Sequence, residues 1–387
     1  MKKLIDIARP IINSFFIFLM FFVPRNKEKQ KKILIIKLEG LGDFIVFIPS
    51  LLKYKEIYPH HKITLLVDNS INHQIAKRYH PELIDELILL DAKKFSKNIF
   101  YRFSVSKQLY ALNFDITINP LYYRRKISDF LVTIAKSRER ITFAGYEIEH
   151  NDTLPTPNEY TRFISVPSTI TNEFYRHKYF IQELANKKYE NYSLHFPLQD
   201  EDLTNAKKIL KEYSIEENKY VVIFPGAGRS VSKWEPEKFA AVANFLIENT
   251  YKVIICGSSM EKEIAEKIIH NVKSNNKANI INLISKTNVF TTAAIIKLAK
   301  FYVGNDSGPT HTAESIKQTI ICPLGLGHFR EFYPSEDTPK NIIVAAKNMN
   351  CLNDLYACAK DLPPGRAAPC VSNITVEQIL DEVKKLI

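Results

Sequence analysis

Nine of the eleven glycines in this chain, Gly40, Gly42, Gly226, Gly228, Gly257, Gly304, Gly308, Gly325 and Gly327, fall just after short apolar, β-type runs. Only Gly145 and Gly365 lie elsewhere. With glycine this scarce in 387 residues, each one answers a backbone need. Apolar runs that end in glycine and lead into helical spacing describe parallel α/β sheets. Such sheets bind ligands at the carboxyl ends of their strands.

The stretch from Phe301 to Gly327 shows the pattern best. Its spacing predicts a strand to Val303, a helix from Thr310 to Lys317 and a strand from Thr319 to Leu324. Pro309 suits the first helical position, with Asp306 or Ser307 as the cap. The start of that helix offers free N–H groups and a positive dipole end, which suits a phosphate. An ordinary capped helix reads the same way. Upstream, Tyr220 to Phe224 is a strand, Pro225 to Arg229 its glycine loop, and Ser232-Lys233-Trp234 precedes a Pro-initiated helix to about Asn249. Near the start, Lys32 to Lys37 is a strand, followed by Gly40-Leu41-Gly42-Asp43 and a helix from Phe44 to Tyr58. The lone G-x-G lacks the third glycine of a dinucleotide fingerprint. Asp43 either caps the helix or stands at the strand mouth as a general base.

A chain of this length buries a large core and divides into two domains. Five cysteines are no disulfide scaffold, and the odd count points to a reducing compartment. The charge is uneven: residues 1–198 hold 30 Lys+Arg against 20 Asp+Glu, the remainder 23 against 22. A basic half implies an acidic partner. The clusters Tyr122-Tyr123-Arg124-Arg125-Lys126, Lys136/Arg138/Arg140 and Arg176-His177-Lys178 suit RNA or the rings and phosphates of a charged sugar. No nucleic-acid motif accompanies them, which favours the glycan. Residues 11–23 are almost wholly apolar but too short for a span of about 20 residues. Basic residues flank them on both sides, so an interfacial anchor on an anionic leaflet is expected, ahead of a span, an uncleaved signal or a core-docked helix.

Four stretches together, ILIIKLEGLGDFIVFIPSL, VVIFPGAGRSVSKWEPEKFAAVA, VIICGSSMEKEIAE and YVGNDSGPTHTAES, resemble glycosyltransferase family 9, the lipopolysaccharide heptosyltransferases. The resemblance covers most of residues 33–330. It implies a GT-B architecture, two Rossmann-like doubly wound domains facing a central cleft, with the donor on the C-terminal one and the acceptor on the N-terminal one. The expected division is a membrane-associating segment 1–31, an acceptor domain 32–198 and a nucleotide-sugar domain 199–387. By the same resemblance Asp43 is the catalytic base and Lys233 contacts the donor diphosphate. Asp306, Ser307, Gly308, Thr310 and His311 hold donor phosphates and sugar, and Glu261 approaches the ribose. Arg229 is a further candidate for the leaving group. Glu39 is unusual for the family's first loop, and the apolar residues 11–23 precede its normal start.

The implied chemistry is inverting, metal-independent transfer, with ADP-heptose as co-substrate and no other cofactor. No Asp-x-Asp pair stands where a metal would bridge a diphosphate. The expected acceptor is an acidic glycolipid, and the expected place is the cytoplasmic face of the inner membrane. A sugar-nucleotide epimerase of GT-B type or a non-catalytic membrane-docked sensor are the alternatives. Cys351, Cys358 and Cys370 are weak metal candidates, one ligand short of a four-ligand site.

Overall fold

The computed structural model describes residues 14–68, 70–145, 159–326, 332, 341–344, 362–363 and 365–387. Internal contacts divide the chain into two units. The first comprises Met1–Gly40, Pro49–Ile170 and Tyr175–Tyr192; the second comprises Leu41–Ile48, Thr171–Phe174 and Ser193–Ile387.

The first unit is built on six parallel strands: β1 (Lys32–Lys37), β2 (Lys62–Val67), β3 (Glu86–Leu89), β4 (Ile116–Asn119), β5 (Glu139–Phe143) and β6 (Arg162–Ile164). They lie in the order β3-β2-β1-β4-β5-β6. β1 is buried along its whole length, as a strand covered by helices on both faces must be. The covering helices include α1 (Leu41–Ile57, in this unit from Pro49 on), α2 (Ile99–Leu112), α3 (Lys126–Ala135) and α4 (Glu173–Ala185, in this unit from Tyr175 on). Asn98 caps α2, its side chain accepting the Tyr101 N–H at 2.9 Å. Residues 14–20 form a further helix, which sets Met20 into the cluster of Leu34, Leu66, Leu109 and Leu131. No helix among the described residues is long and apolar enough to cross a membrane.

The second unit repeats the winding with β7 (Tyr220–Phe224), β8 (Lys252–Ile255), β9 (Ile280–Asn282), β10 (Tyr302–Gly304), β11 (Ile320–Pro323) and β12 (Asn341–Val344). Their order is β12-β11-β10-β7-β8-β9, again all parallel. In both sheets the order reverses beside the first strand, the switch point at which doubly wound sheets take their ligands. The helices α5 (Pro236–Glu248), α6 (Lys262–Asn271), α7 (Gly308–Ser315) and α8 (Val376–Val383) belong to this unit. Thr375 caps α8 and forms a capping box with Gln378. Its Ile379 and Val383 join Trp234, Phe239 and Val371 in the core.

Candidate active site

Loops leave the carboxyl ends of β7, β8 and β10, and one side chain joins two of them. Asn305 is fully buried, directly after β10. Its Nδ2 donates to the Pro225 carbonyl at 2.7 Å, and its Oδ1 accepts the Trp234 N–H at 3.0 Å. Both ends of the Gly226–Lys233 loop are thereby fixed to the β10 loop. The Asn305 carbonyl in turn accepts Ser307 Oγ at 3.1 Å and Thr310 Oγ1 at 2.5 Å. Trp234 is buried and donates its indole N–H to the Ile374 carbonyl at 2.9 Å. Lys233 therefore springs from a rigid base. It is half-buried at the end of the short 3-10 turn Ser230–Ser232, and its ammonium has no partner among the described residues. Such a cation beside a glycine loop is suited to an anion.

Glu261 ends a second 3-10 turn, Ser259–Glu261, after β8. Its Oε2 accepts the Ser258 N–H at 2.8 Å and the Ser258 hydroxyl at 2.7 Å. The same side chain lies against Gly226: a Cβ added there would meet Glu261 Cγ at 2.6 Å and Oε1 at 2.7 Å. Glycine is required in the β7 loop so that this carboxylate can reach it.

Close approach explains Gly42 as well. A Cβ there would come within 2.6 Å of His311 Cδ2. Gly42 is the second residue of α1 and His311 the fourth of α7, both in the second unit. Two helix starts therefore abut, and Leu41 of one lies on Gly308 of the other. Gly40 and Ser307 occupy the N-cap positions, neither with a side-chain cap bond. Two uncapped positive dipole ends meet here. Asp43 is half-buried in the first turn of α1.

His311 is buried beside acidic neighbours. Its Nε2 lies 3.8 Å from Asp306 Oδ1 and its Nδ1 3.5 Å from Glu314 Oε2, with the Phe332 ring at 5.2 Å. Burial alone would lower its pKa. The hydrogen bond and charge of Glu314, with the charges of Asp306 and Asp43, overcome that and hold it above its usual value.

The structure corrects two helix starts. α1 begins at Leu41 and not Phe44, so Asp43 is its third residue and caps nothing. α7 begins at Gly308, with Pro309 second, and the hydroxyl of Ser307 bonds the Asn305 carbonyl instead of the helix.

In the first unit the carboxyl edge of the sheet is filled with committed charges. Lys37 at the end of β1 is fully buried, pairs with Glu39 and lies 3.3 Å from His177 Nε2. Burial pushes the His177 pKa well down, helped by the charges of Lys37 and Arg176. Asn72 Nδ2 donates to the Glu39 carbonyl at 3.0 Å. After β4, Arg124 reaches Asp129 at 3.3 Å, and the Tyr160 hydroxyl donates to the same carboxylate at 2.6 Å. Burial pushes Asp129 up to about 6 against those two partners. Arg176 stacks 4.0 Å over Tyr122, and Arg140 bonds the carbonyls of Ser137 and Glu159. Arg124, Arg140 and Arg176, read in the sequence as ligand-facing, are thus held inside the unit. Arg125, Lys126, Lys136 and Arg138 are the open members.

The sequence model of glycosyltransferase family 9 (heptosyltransferase) matches residues 102–357. The chain belongs to that family. Lipooligosaccharide heptosyltransferase 2 of Campylobacter jejuni is 26% identical over 54% of this chain, and the match spans 63% of that enzyme's length. Lipopolysaccharide core heptosyltransferase OpsX of Haemophilus influenzae is 22% identical over 94% of this chain and 99% of its own. Among solved structures, the Escherichia coli ADP-heptose lipopolysaccharide heptosyltransferase II shares the fold, with a TM-score of 0.68, 17% identity, and coverage of 92% and 98% of the two chains.

In this family-9 chain the residues singled out from sequence fall in two neighbouring groups of the second unit. Asp43, Asp306, Ser307, Gly308, Thr310 and His311 stand at the two abutting helix starts. Gly226, Lys233 and Glu261 stand at the β7 and β8 loops, with Arg229 half-buried and already partnered and Gly228 open to solvent. Asn305, which links the groups, went unassigned. Its place after a strand was visible, but an amide bridging two loops leaves no spacing signal. Cys351 and Cys358 lie outside the described residues. Cys370 is a buried thiol in the core, and no cluster of three or more metal-type side chains occurs among the described residues.

Proposed function

We propose that this chain transfers a heptosyl group from ADP-heptose to the core of a lipopolysaccharide or a related surface glycan. The observation that carries the reading is the meeting of two uncapped helix starts at Gly42 and His311, with Asp43 in the first turn of one. Names of relatives support the substrate class: one is a lipopolysaccharide core heptosyltransferase, and another an ADP-heptose enzyme.

The Asp43 carboxylate takes the proton of an acceptor hydroxyl as that oxygen attacks the anomeric carbon. The bond from that carbon to the diphosphate breaks, and ADP leaves with the electron pair, which inverts the anomeric centre. Lys233, the N–H groups at the start of α7 and protonated His311 stabilise the charge growing on the diphosphate. Glu261 receives the ribose hydroxyls. The transfer runs without a metal. The single Asp-x-Asp of the sequence, Asp200–Asp202, opens a helix instead, Asp202 accepting the Gln199 N–H at 2.9 Å. The enzyme works at the cytoplasmic face of the membrane that holds its acceptor.

The test offers the protein ADP-, UDP- and GDP-linked sugars and follows thermal stabilisation, then ADP release with a core acceptor. Stabilisation by ADP-heptose with acceptor-dependent ADP release is expected. Isomerised donor without transfer would replace this reading with an epimerase.

A further inference from the structure

Residues 14–20 form a helix held to the first unit by one face only. Phe16 and Met20 are buried, Phe16 against the Phe103 ring at 5.6 Å. The opposite face shows Phe15, Phe18, Phe21 and Phe22, which are 55%, 55%, 63% and 73% exposed. One turn before Phe103 on α2, Phe100 is 83% exposed. Exposed phenylalanines gathered on one surface are costly in water and mark a contact.

The surroundings of this face say what covers it. The Lys136 ammonium sits 4.1 Å over the Phe21 ring. The chain then leaves the helix through Pro24 and Arg25, and Lys27, Lys29 and Lys31 are exposed. Arg25 lies 4.9 Å over Tyr110 and donates to the Ala135 carbonyl at 3.2 Å, and Asn26 N–H bonds the Ala111 carbonyl at 2.8 Å. The basic segment is therefore fastened to α2 and to the end of α3, at a fixed place beside the phenylalanines. Aromatic rings rimmed by ammonium groups match the level of a bilayer where acyl chains give way to phosphates. A protein partner would need acidic groups around an apolar pocket, whereas an anionic lipid surface supplies both everywhere.

We propose that this face is a lipid-docking surface. The helix lies in the plane of an anionic leaflet, with Phe15, Phe18, Phe21 and Phe22 below the phosphates and Arg25, Lys27, Lys29 and Lys136 at them. This deepens the reading of a membrane-held acceptor given above: it names the surface by which the first unit meets the lipid, rigidly and without a span.

Full-length protein is sedimented with vesicles of phosphatidylcholine alone and of phosphatidylcholine mixed equally with phosphatidylglycerol. Binding to the mixed vesicles is expected, weakened by salt. The double variant Phe18→Glu, Phe22→Glu, at exposed positions, should bind them about tenfold or more weakly, with unchanged ADP affinity. Equal binding by the variant overturns the proposal. Independently, a Phe18→Trp variant should be quenched more by bromine near the headgroup end of the acyl chains than at the bilayer centre. Deepest quenching at the centre would mean a span instead. No quenching, with a dimer that the double variant dissolves, would give the face to a second copy. No quenching, with residue 18 uncovered by deletion of residues 1–13, would give it to that segment. Transfer to a water-soluble core fragment without vesicle binding sinks the docking surface and leaves the transferase standing; vesicle binding without transfer does the reverse.

Discussion

The two sheets share one strand order and differ in what lies at their carboxyl ends. In the second unit those ends carry glycines, small hydroxyls, the uncapped start of α7 and, at Lys233, an ammonium without a partner among the described residues. In the first they carry charged side chains already paired with one another, Lys37 with Glu39 and Arg124 with Asp129. The fold sets where a ligand can sit, and the loops decide whether the place is kept empty for it. An edge of free donors binds an anion directly. An edge of satisfied pairs is a rigid support, and breaking one pair leaves a buried charge alone.

The sharpest way to break this contrast is at Asp43. Asp43→Asn keeps the size and polarity of the side chain, so thermal unfolding and ADP binding should change little. Turnover should fall roughly 10²–10⁴-fold if Asp43 is the base. Near-normal transfer in an ADP-release assay would move the chemistry elsewhere.

The supporting edge is tested through Asp129. Its folded pKa of about 6 stands above the usual value of 3.8. A carboxyl group raised in this way contributes stability that is complete below about pH 3.8 and is lost as pH rises to about 6, in all about 3 kcal/mol. Denaturant titrations of Asp129→Asn and the parent should diverge across that window, with the variant flatter. Parallel curves would show that Asp129 titrates normally.

On the receiving edge, Lys233→Ala should weaken ADP binding by about 1.5–3 kcal/mol in calorimetry, the scale of a charged hydrogen bond, with no loss of stability. Unchanged affinity would remove Lys233 from the donor site. The smallest effect belongs to His311. Its pKa is raised, so the stabilisation tied to its proton is complete below about pH 6.5 and fades as pH climbs through the raised value. ADP affinity should fall over the same range, and His311→Gln should remove that slope. A slope that survives the substitution belongs to another group.

Much of the second unit was legible. Its strands are short apolar runs punctuated by glycine, and burial on both faces leaves no other use for them. The first unit was read less fully. β5, Glu139–Phe143, begins with charged residues, so Arg140 looked like part of a ligand-facing patch and not a strand residue bonding the Glu159 carbonyl. Lys37 likewise sits in a visible strand, yet its burial beside Glu39 and His177 depends on α4, about 140 residues away. Linear spacing reports periodic burial well and long-range pairing hardly at all. The glycines fall between: their positions were plain, but the neighbours that demand them, His311 at Gly42 and Glu261 at Gly226, emerge only in three dimensions.

Asn305 carries a consequence for anyone altering the donor choice proposed for this site. Its single amide holds the loop before Trp234 and the loop before α7 in one register. Those loops cannot be exchanged one at a time between enzymes, because a graft that shifts Pro225 also moves the start of α7. On the function proposed above, the unit that sets donor preference is the pair of loops with the asparagine between them, and recombination inside that block should yield inactive hybrids more often than recombination at its borders.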